Sequence, residues 1–275
     1  MKVAAINDLS GFGKCSLVAD ITVLSAMGIQ CCPLPTAVLS AQTGYASYFS
    51  KDLTGIIPEY TREWQKQSEL FDGIITGFMM SSEQAKNSLE FIRKFKTEKT
   101  KVLVDPVMGD DGRTYKNFSE KLLNTIREMS READIITPNL TELILLAGEE
   151  PMKVMSLKGD RLFDAILNLS MSVGGDTGKT IAVTGIPLKE DGSVGNFILE
   201  NGESRVITSG SNGVHYSGTG DLFAAVLLGS IILGKTAFEG ADLTSRFIYK
   251  SAMDTSSETS PIAGIEYEKN LNMLI

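Results

Sequence analysis

The chain has 275 residues, in which 26 lysines and arginines stand against 34 aspartates and glutamates, so its formal net charge is −8. This acidic balance is the opposite of the basic surface that nucleic-acid-binding proteins present, and we expect no nucleic-acid partner. One histidine and three cysteines give no support for a histidine-based metal site or for a framework of paired disulfides.

The first residues of the chain argue against export, and its longest apolar stretch argues against a membrane partner. The first eight residues become polar too early for a signal peptide. The longest apolar stretch, 222–233, contains Gly229 and Ser230 and falls short of the roughly 20 residues that span a bilayer. We therefore expect a cytoplasmic protein.

Short apolar runs rich in β-branched residues alternate along the chain with amphipathic helical patterns. Strands are predicted at 3–6, 73–76, 101–107, 133–137 and 180–184, and helices at 16–27, 81–97, 119–130 and 159–172. Continuous apolar runs are typical of strands buried on both faces, and their alternation with helices indicates βαβ units. We predict a single domain over residues 1–275, an α/β fold in which a mainly parallel sheet forms the middle of a three-layer α/β/α sandwich.

Two further patterns refine this architecture. Asn201-Gly202 separates two alternating runs within 197–208, which is typical of a type I′ hairpin and predicts an antiparallel edge. Residues 44–58 and 109–117 are rich in turn formers and are predicted to be surface loops beyond strand ends, where open α/β sheets bind ligands.

Two glycine-rich segments carry weak nucleotide signals. GGDTGKT at 174–180 ends like a P-loop, but Val173 stands where that motif needs glycine, and the segment precedes a strand instead of following one. SGFGKCS at 10–16 opens a helix, but Ser16 replaces the third glycine of a dinucleotide fingerprint. Two interpretations of SGFGKCS stay open: a tight turn with Ser16 as helix N-cap, or a loop on the substrate side.

The third segment, SGTGD at 217–221, gives the strongest signal. Gly218, Thr219 and Gly220 leave backbone N–H groups uncovered at the start of an apolar helix, where they and the helix dipole favour an anion such as phosphate. Asp221 beside a phosphate makes sense as a general base that accepts a proton from an attacking hydroxyl. The alternative is that Asp221 only caps the helix.

SGTGDLFAA and five blocks that precede it in order resemble the pyridoxal kinase family of the ribokinase-like superfamily. Besides SGTGDLFAA, these are NDLSGFGKCS, AQTGY at 41–45, VDPVMGDDG at 104–112 and DIITPNLTE at 134–142, with ITGF at 75–78 between them. The resemblance implies ATP-dependent phosphorylation of the 5′-hydroxymethyl group of pyridoxal, pyridoxine or pyridoxamine. It also implies Mg²⁺ as cofactor, a homodimer, Asp221 as base and the amides of Gly218, Thr219 and Gly220 as the anion hole, and it leaves a monovalent cation such as K⁺ open.

The same resemblance places four residues on the vitamin side. Asp8 corresponds to the position that faces the pyridine nitrogen, with Ser10 in the same segment, and Thr43 to one that contacts the ring substituents. Phe78 stands where the family commonly has tyrosine. The alternatives are hydrogen bonds that stabilise turns for Asp8 and Thr43, and plain core packing for Phe78.

Three residues are implied on the metal side. By the resemblance, Asp105, Asn139 and Glu142 hold Mg²⁺ directly or through water, and oxygen ligands with retained waters are what this ion prefers. Asn139 and Glu142 also fit a helix capping box, and both interpretations are compatible.

The nucleotide side completes the implied site. Residues 109–117 correspond to the family's flap over the ATP phosphates, with Asp110 and Tyr115 as matched positions, although paired aspartates before a glycine are also ordinary turn chemistry. Thr184 matches a position near the phosphates, as do Asp105, Asn139, Gly218 and Gly220.

Two other functions remain as alternatives. Residues 12–28 resemble the first helix of hydroxymethylpyrimidine kinases, but the glycine-rich start of that family is absent, and Asp221 stands where it usually has cysteine. A catalytically inactive protein that binds pyridoxal phosphate or nucleotide is the non-enzyme alternative, and the presence of Asp221, Asn139 and Glu142 together argues against it.

Overall fold

The computed structural model describes residues 1–115, 118–188 and 192–275. Its strands are β1 (Lys2–Ser10), β2 (Gln30–Leu39), β3 (Ser50–Asp52), β4 (Gly73–Thr76), β5 (Lys101–Val104), β6 (Gly109–Asp110), β7 (Arg113–Thr114), β8 (Ile135–Ile136), β9 (Thr180–Pro187), β10 (Val194–Glu200) and β11 (Glu203–Ser209). Its helices are α1 (Ser16–Ala26), α2 (Ile57–Lys66), α3 (Ser82–Phe95), α4 (Glu120–Glu132), α5 (Leu140–Ala147), α6 (Pro151–Met155), α7 (Asp160–Ser172), α8 (Thr219–Ile232) and α9 (Ala237–Asp254).

One mainly parallel sheet organises the molecule, in the order β11-β10-β9-β8-β5-β4-β1-β2-β3. The strands from β9 to β2 in that order pair in parallel, whereas β10, β11 and β3 pair antiparallel to their neighbours. The hairpin between β10 and β11 turns at Asn201 and Gly202, whose φ angles of 52° and 81° are the positive values that a type I′ turn needs. The predicted parallel sheet with an antiparallel edge is confirmed.

Strand β1 shows why the sheet is covered on both faces. Ala4 and Ile6 pack into a core with α2, α3, α4, α5 and α7, while Val3 and Ala5 pack into a second core with α1, α8 and α9. Successive side chains of a strand point to opposite faces, so a continuous apolar run such as 3–6 has to be covered by helices on both faces. The predicted three-layer α/β/α sandwich follows and is confirmed. None of the helices in the described part of the chain has the length and apolar character needed to cross a membrane.

Two segments differ from the prediction. Residues 44–58 are not only loop, because β3 and the start of α2 lie within them. Strand β2 was not predicted, since it contains Pro33 and Pro35. In the structure β3 pairs only with residues 37–39, so β2 is an edge at both prolines, and an edge position does not need the N–H group that proline lacks.

Candidate active site

The carboxyl ends of the parallel strands bring the predicted polar residues to one edge of the sheet. Asp8 lies at the end of β1, Phe78 follows β4, Asp105 follows β5 and Asn139 follows β8. Thr184 in β9 forms an isolated parallel bridge with Asn139. Parallel strands place their carboxyl ends together, so residues more than 170 positions apart in the chain meet at this edge.

The start of α8 lies at the same edge and needs glycine at its first position. Gly218 is the N-cap, with a φ of 85°, and a Cβ atom there would lie 2.3 Å from the carbonyl oxygen of Lys14. Within the described ranges, the N–H groups of Gly218, Thr219 and Gly220 donate no hydrogen bond to another residue. A helix start with free N–H groups carries partial positive charge, which suits an anion.

Asp221 lies in the first turn of α8 and is not its N-cap, so the interpretation of this aspartate as a simple cap is wrong. Its Oδ1 accepts a hydrogen bond of 3.2 Å from Asn7 Nδ2, and the backbone N–H of Ser16 donates to the same carboxylate. Burial and the negative charge of Asp8 raise the pKa of Asp221 to about 6, against the hydrogen bonds, which lower it. The carboxylate is therefore ionised at neutral pH yet more basic than a solvated aspartate.

Ser16 is not the N-cap of α1, so the first of the two interpretations of SGFGKCS is wrong in this respect. Cys15 occupies the N-cap position of α1, and the φ of Ser16 is 51°. This left-handed conformation belongs to the turn that brings the Ser16 N–H to Asp221.

The four residues implied on the vitamin side occupy different environments. Asp8 and Ser10 are buried and joined, because the Ser10 hydroxyl donates to Asp8 Oδ2 at 2.9 Å. Phe78 is partly buried, and its N–H donates to Asn7 Oδ1 at 3.1 Å. Thr43 is exposed and follows Gln42, whose amide reaches Ser217 Oγ at 3.3 Å, directly before the start of α8.

Asn139 and Glu142 form the capping box of α5. The Asn139 side chain accepts the N–H of Glu142 at 2.9 Å, and Glu142 accepts the N–H groups of Asn139 and Met108 at 2.8 and 3.0 Å. Burial raises the pKa of Glu142 to about 8. Both oxygens of this carboxylate are thus hydrogen-bonded within the fold.

Asp105 is the more accessible carboxylate of this group. Its Oδ1 accepts the Thr137 hydroxyl at 3.2 Å, and its Oδ2 lies 4.0 Å from where a Cβ of Gly220 would be. Burial first, then the charges of Glu142 and Asp221, hold its pKa well above the usual range. Over residues 1–115, 118–188 and 192–275, no group of three or more histidine, cysteine or acidic side chains could hold a metal ion by itself.

The predicted flap is a short hairpin beside these acids. Strand β6 pairs antiparallel with β7, and the N–H of Gly112 donates to the Thr141 hydroxyl on α5 at 2.9 Å. Asp110 and Tyr115 are both exposed, and partial burial of the phenol together with the charges of Glu142 and Asp110 raises the pKa of Tyr115. The last two residues of the predicted loop, 116 and 117, lie outside the described residues.

The sequence analysis missed two side chains that join these parts. Asn7 directly precedes Asp8 in the strand-end run IND and contacts Asp221. Asp20 is the single acid of helix α1, is 1% exposed and accepts a hydrogen bond from Asn7. A lone acid inside an apolar helix is a signal that the sequence does contain.

Known proteins identify the family to which this arrangement belongs. The family model for phosphomethylpyrimidine kinase matches residues 13–263. The chain belongs to this family. It is therefore an enzyme, a kinase with the ribokinase-like fold, and the prediction of a kinase is confirmed.

Individual relatives refine this assignment. A solved Bacteroides thetaiotaomicron protein that carries the phosphomethylpyrimidine kinase name, crystallised with pyridoxal, is 36% identical, with a TM-score of 0.91 over 99% of this chain and 95% of its own. Pyridoxal kinase from Lactobacillus plantarum is 25% identical, with a TM-score of 0.88 over 99% of this chain and 96% of its own. Pyridoxal kinase PdxY of Rubrobacter xylanophilus is 26% identical over 90% of this chain and 86% of its own. The resemblance to pyridoxal kinases is confirmed.

Proposed function

We propose that this kinase transfers the γ-phosphoryl group of ATP to the 5′-hydroxymethyl group of pyridoxal, pyridoxine or pyridoxamine. The observation that carries the proposal is the pairing of Asp221, whose pKa is about 6, with three N–H groups at the start of α8 that donate to none of the described residues. The relatives named pyridoxal kinase and the Bacteroides structure with pyridoxal support the substrate class.

The proposed reaction uses both parts of this helix start. The hydroxymethyl oxygen attacks the γ-phosphorus, its proton passes to the Asp221 carboxylate, and the bond from the phosphorus to the ADP oxygen breaks. The N–H groups of Gly218, Thr219 and Gly220 face the transferring group and stabilise the negative charge on its oxygens. These amides also offset the repulsion between Asp221 and the phosphate.

The vitamin is proposed to lie along the end of β1. Asp8, oriented by Ser10, accepts a hydrogen bond from a protonated ring nitrogen, since a carboxylate favours that charge-assisted bond. Phe78 offers an apolar ring face, and Thr43 contacts the ring substituents from the exposed loop.

The acids after β5 and β8 suit Mg²⁺, which prefers oxygen ligands and keeps several waters. Asp105 would hold the ion through Oδ2, which accepts no hydrogen bond from the described residues. Asn139 and Glu142 would act through water, because their own hydrogen bonds stay within the capping box. Mg²⁺ bound there would neutralise phosphate charge. Asp110, Tyr115 and Thr184 complete the proposed nucleotide side.

The family description favours a second candidate, the phosphorylation of hydroxymethylpyrimidine or its phosphate. Both substrates are flat heteroaromatic rings with a hydroxymethyl group, so the same base and anion hole serve either reaction. Steady-state assays with the three vitamin B6 forms and with hydroxymethylpyrimidine, at fixed Mg-ATP, decide between them. We expect the highest kcat/KM with a B6 form.

The base assignment is tested with Asp221→Asn, which keeps the size of the side chain and removes its basicity. We expect turnover of pyridoxal to fall by about 10²-fold or more. Asp242→Asn makes the same change on the exposed face of α9, where the carboxylate pairs with Arg246, and its turnover should match the native protein. Equal turnover in both variants would contradict the base role.

The same assay across pH gives a second readout. Protonated Asp221 cannot accept the alcohol proton, so kcat/KM should fall about tenfold per pH unit below about pH 6 and level off above it. A kcat/KM for pyridoxal that stays constant down to pH 5 would contradict the assignment.

A further inference from the structure

The side-chain amide of Asn7 sits at the centre of the site and uses its full hydrogen-bonding capacity. Its Nδ2 donates to Asp221 Oδ1 at 3.2 Å and to Asp20 Oδ2 at 3.3 Å. Its Oδ1 accepts the N–H groups of Asp8 and Phe78, both at 3.1 Å. An asparagine amide has two donor hydrogens and two acceptor lone pairs, so no other orientation of this side chain satisfies all four partners.

The surroundings hold this amide in one position. A Cβ atom at Gly77 would lie 2.4 Å from Asn7 Nδ2 and 2.6 Å from its Oδ1, so the backbone after β4 closes directly over the side chain. Asn7 itself is 2% exposed. A polar group packed this tightly keeps its geometry, because any rotation would leave buried donors unpaired.

Asp20 is the second carboxyl that accepts a hydrogen bond from the Asn7 amide, and the packing of α1 does not by itself account for a buried acid there. Its other oxygen, Oδ1, is buried and has no hydrogen-bond partner among the described residues. Burial and the charge of Asp221 hold the pKa of Asp20 well above its usual range, so this carboxyl is costly to keep beside Asp221. Among the described residues, Asn7 is the one side chain that hydrogen-bonds this carboxyl, which indicates that Asp20 serves to orient Asn7.

We propose that Asn7, oriented by Asp20, is a positioning residue that fixes the direction of the Asp221 carboxylate toward the substrate alcohol. The inference rests on the proposed role of Asp221 as the base. Because the same amide accepts the Phe78 N–H, it also ties the base to the ring side of the pocket. A neutral amide suits this task, since it orients the carboxylate without the large loss of basicity that a cation would cause.

A double-mutant cycle tests the inference. Asn7→Ser removes the amide, and we expect kcat for pyridoxal to fall about tenfold with the KM for Mg-ATP unchanged, because a misdirected base affects the transfer step. In an Asp221→Asn background the same Asn7→Ser change should have no further effect on kcat. A merely structural role would lower kcat by the same factor in both backgrounds, and that result would overturn the inference.

Asp20→Ala provides the second, milder variant in case Asn7→Ser does not fold, which circular dichroism would show. It leaves Asn7 and its backbone contacts in place and removes only the second acceptor. We expect a loss of about threefold in kcat, again absent when Asp221 is Asn. Native kcat in Asp20→Ala, or an equal loss in both backgrounds, would overturn the inference while leaving the base assignment intact. Native kcat in Asp221→Asn alone would instead remove the base assignment, and the inference with it. Absence of pyridoxal turnover in the native protein would remove the proposed function.

Discussion

Two glycine-rich segments of similar composition lie at opposite ends of the parallel strands, one at the amino ends and one at the carboxyl ends. GGDTGKT at 174–180 leads into the amino end of β9. Its lysine, Lys179, is buried, and its amine donates hydrogen bonds to backbone carbonyls near the end of α4. Those carbonyls belong to Ser130, Arg131 and Ala133. A Gly-Lys-Thr sequence thus closes a helix end here, where a P-loop would bind phosphate.

SGTGD at 217–221 has no lysine but lies at the carboxyl edge and starts a long helix. The N–H groups of Gly218, Thr219 and Gly220 donate no hydrogen bond to other described residues, and the Asp221 carboxylate accepts the Asn7 amide. The difference teaches that the place of a segment relative to strands and helices, more than its glycine content, decides whether its amides are free to bind an anion.

The largest loss of stability is expected from Gly218→Ala. An alanine would need the left-handed conformation at φ 85° and would place its Cβ 2.3 Å from the Lys14 carbonyl oxygen, so the start of α8 must shift. We expect the free energy of unfolding to drop by about 3 kcal/mol from strain and overpacking together. Because the displaced amides face the proposed phosphoryl group, kcat should fall by about tenfold or more.

Denaturant unfolding and steady-state kinetics measure the two effects of Gly218→Ala separately. The lower turnover of Gly218→Ala should persist at saturating ATP, because the defect lies in the transfer step and not in nucleotide binding. Native kcat in a variant that has lost stability would show that the position of these amides does not matter for turnover. The two segments would then differ in structure but not in function.

The fold was largely readable from the sequence, because apolar runs of β-branched residues between helical patterns have few other solutions. Strand β2 was not, since Pro33 and Pro35 indicate a break unless the strand is known to be an edge. The individual site residues beyond the glycine-rich signature came from family resemblance, and Asn7 escaped notice. One asparagine at a strand end has no pattern of its own, and its importance depends on α1 and α8 meeting over it.

An intermediate effect is expected from Lys179→Met, which keeps the length of the side chain and removes its amine. Buried carbonyls at the end of α4 would lose their donor, so we expect the free energy of unfolding to drop by about 2 kcal/mol. The KM for ATP and kcat should both stay native, because Lys179 lies at the edge opposite Asp221. A rise in the KM for ATP would mean that GGDTGKT binds nucleotide after all.

The smallest effect is expected from Gly178→Ala, the matched partner of Gly218→Ala. Gly178 has nearly the same φ, 81°, but none of the described atoms lies within 4 Å of where its Cβ would be. Only the intrinsic cost of a left-handed alanine applies, about 1 kcal/mol of unfolding free energy, and kcat should remain native. The two variants share the backbone strain, so the difference between their unfolding free energies measures the close contact at Lys14. Equal losses would mean that α8 moves away from Lys14 at no cost, and that the fit of Gly218 there does not fix the helix start.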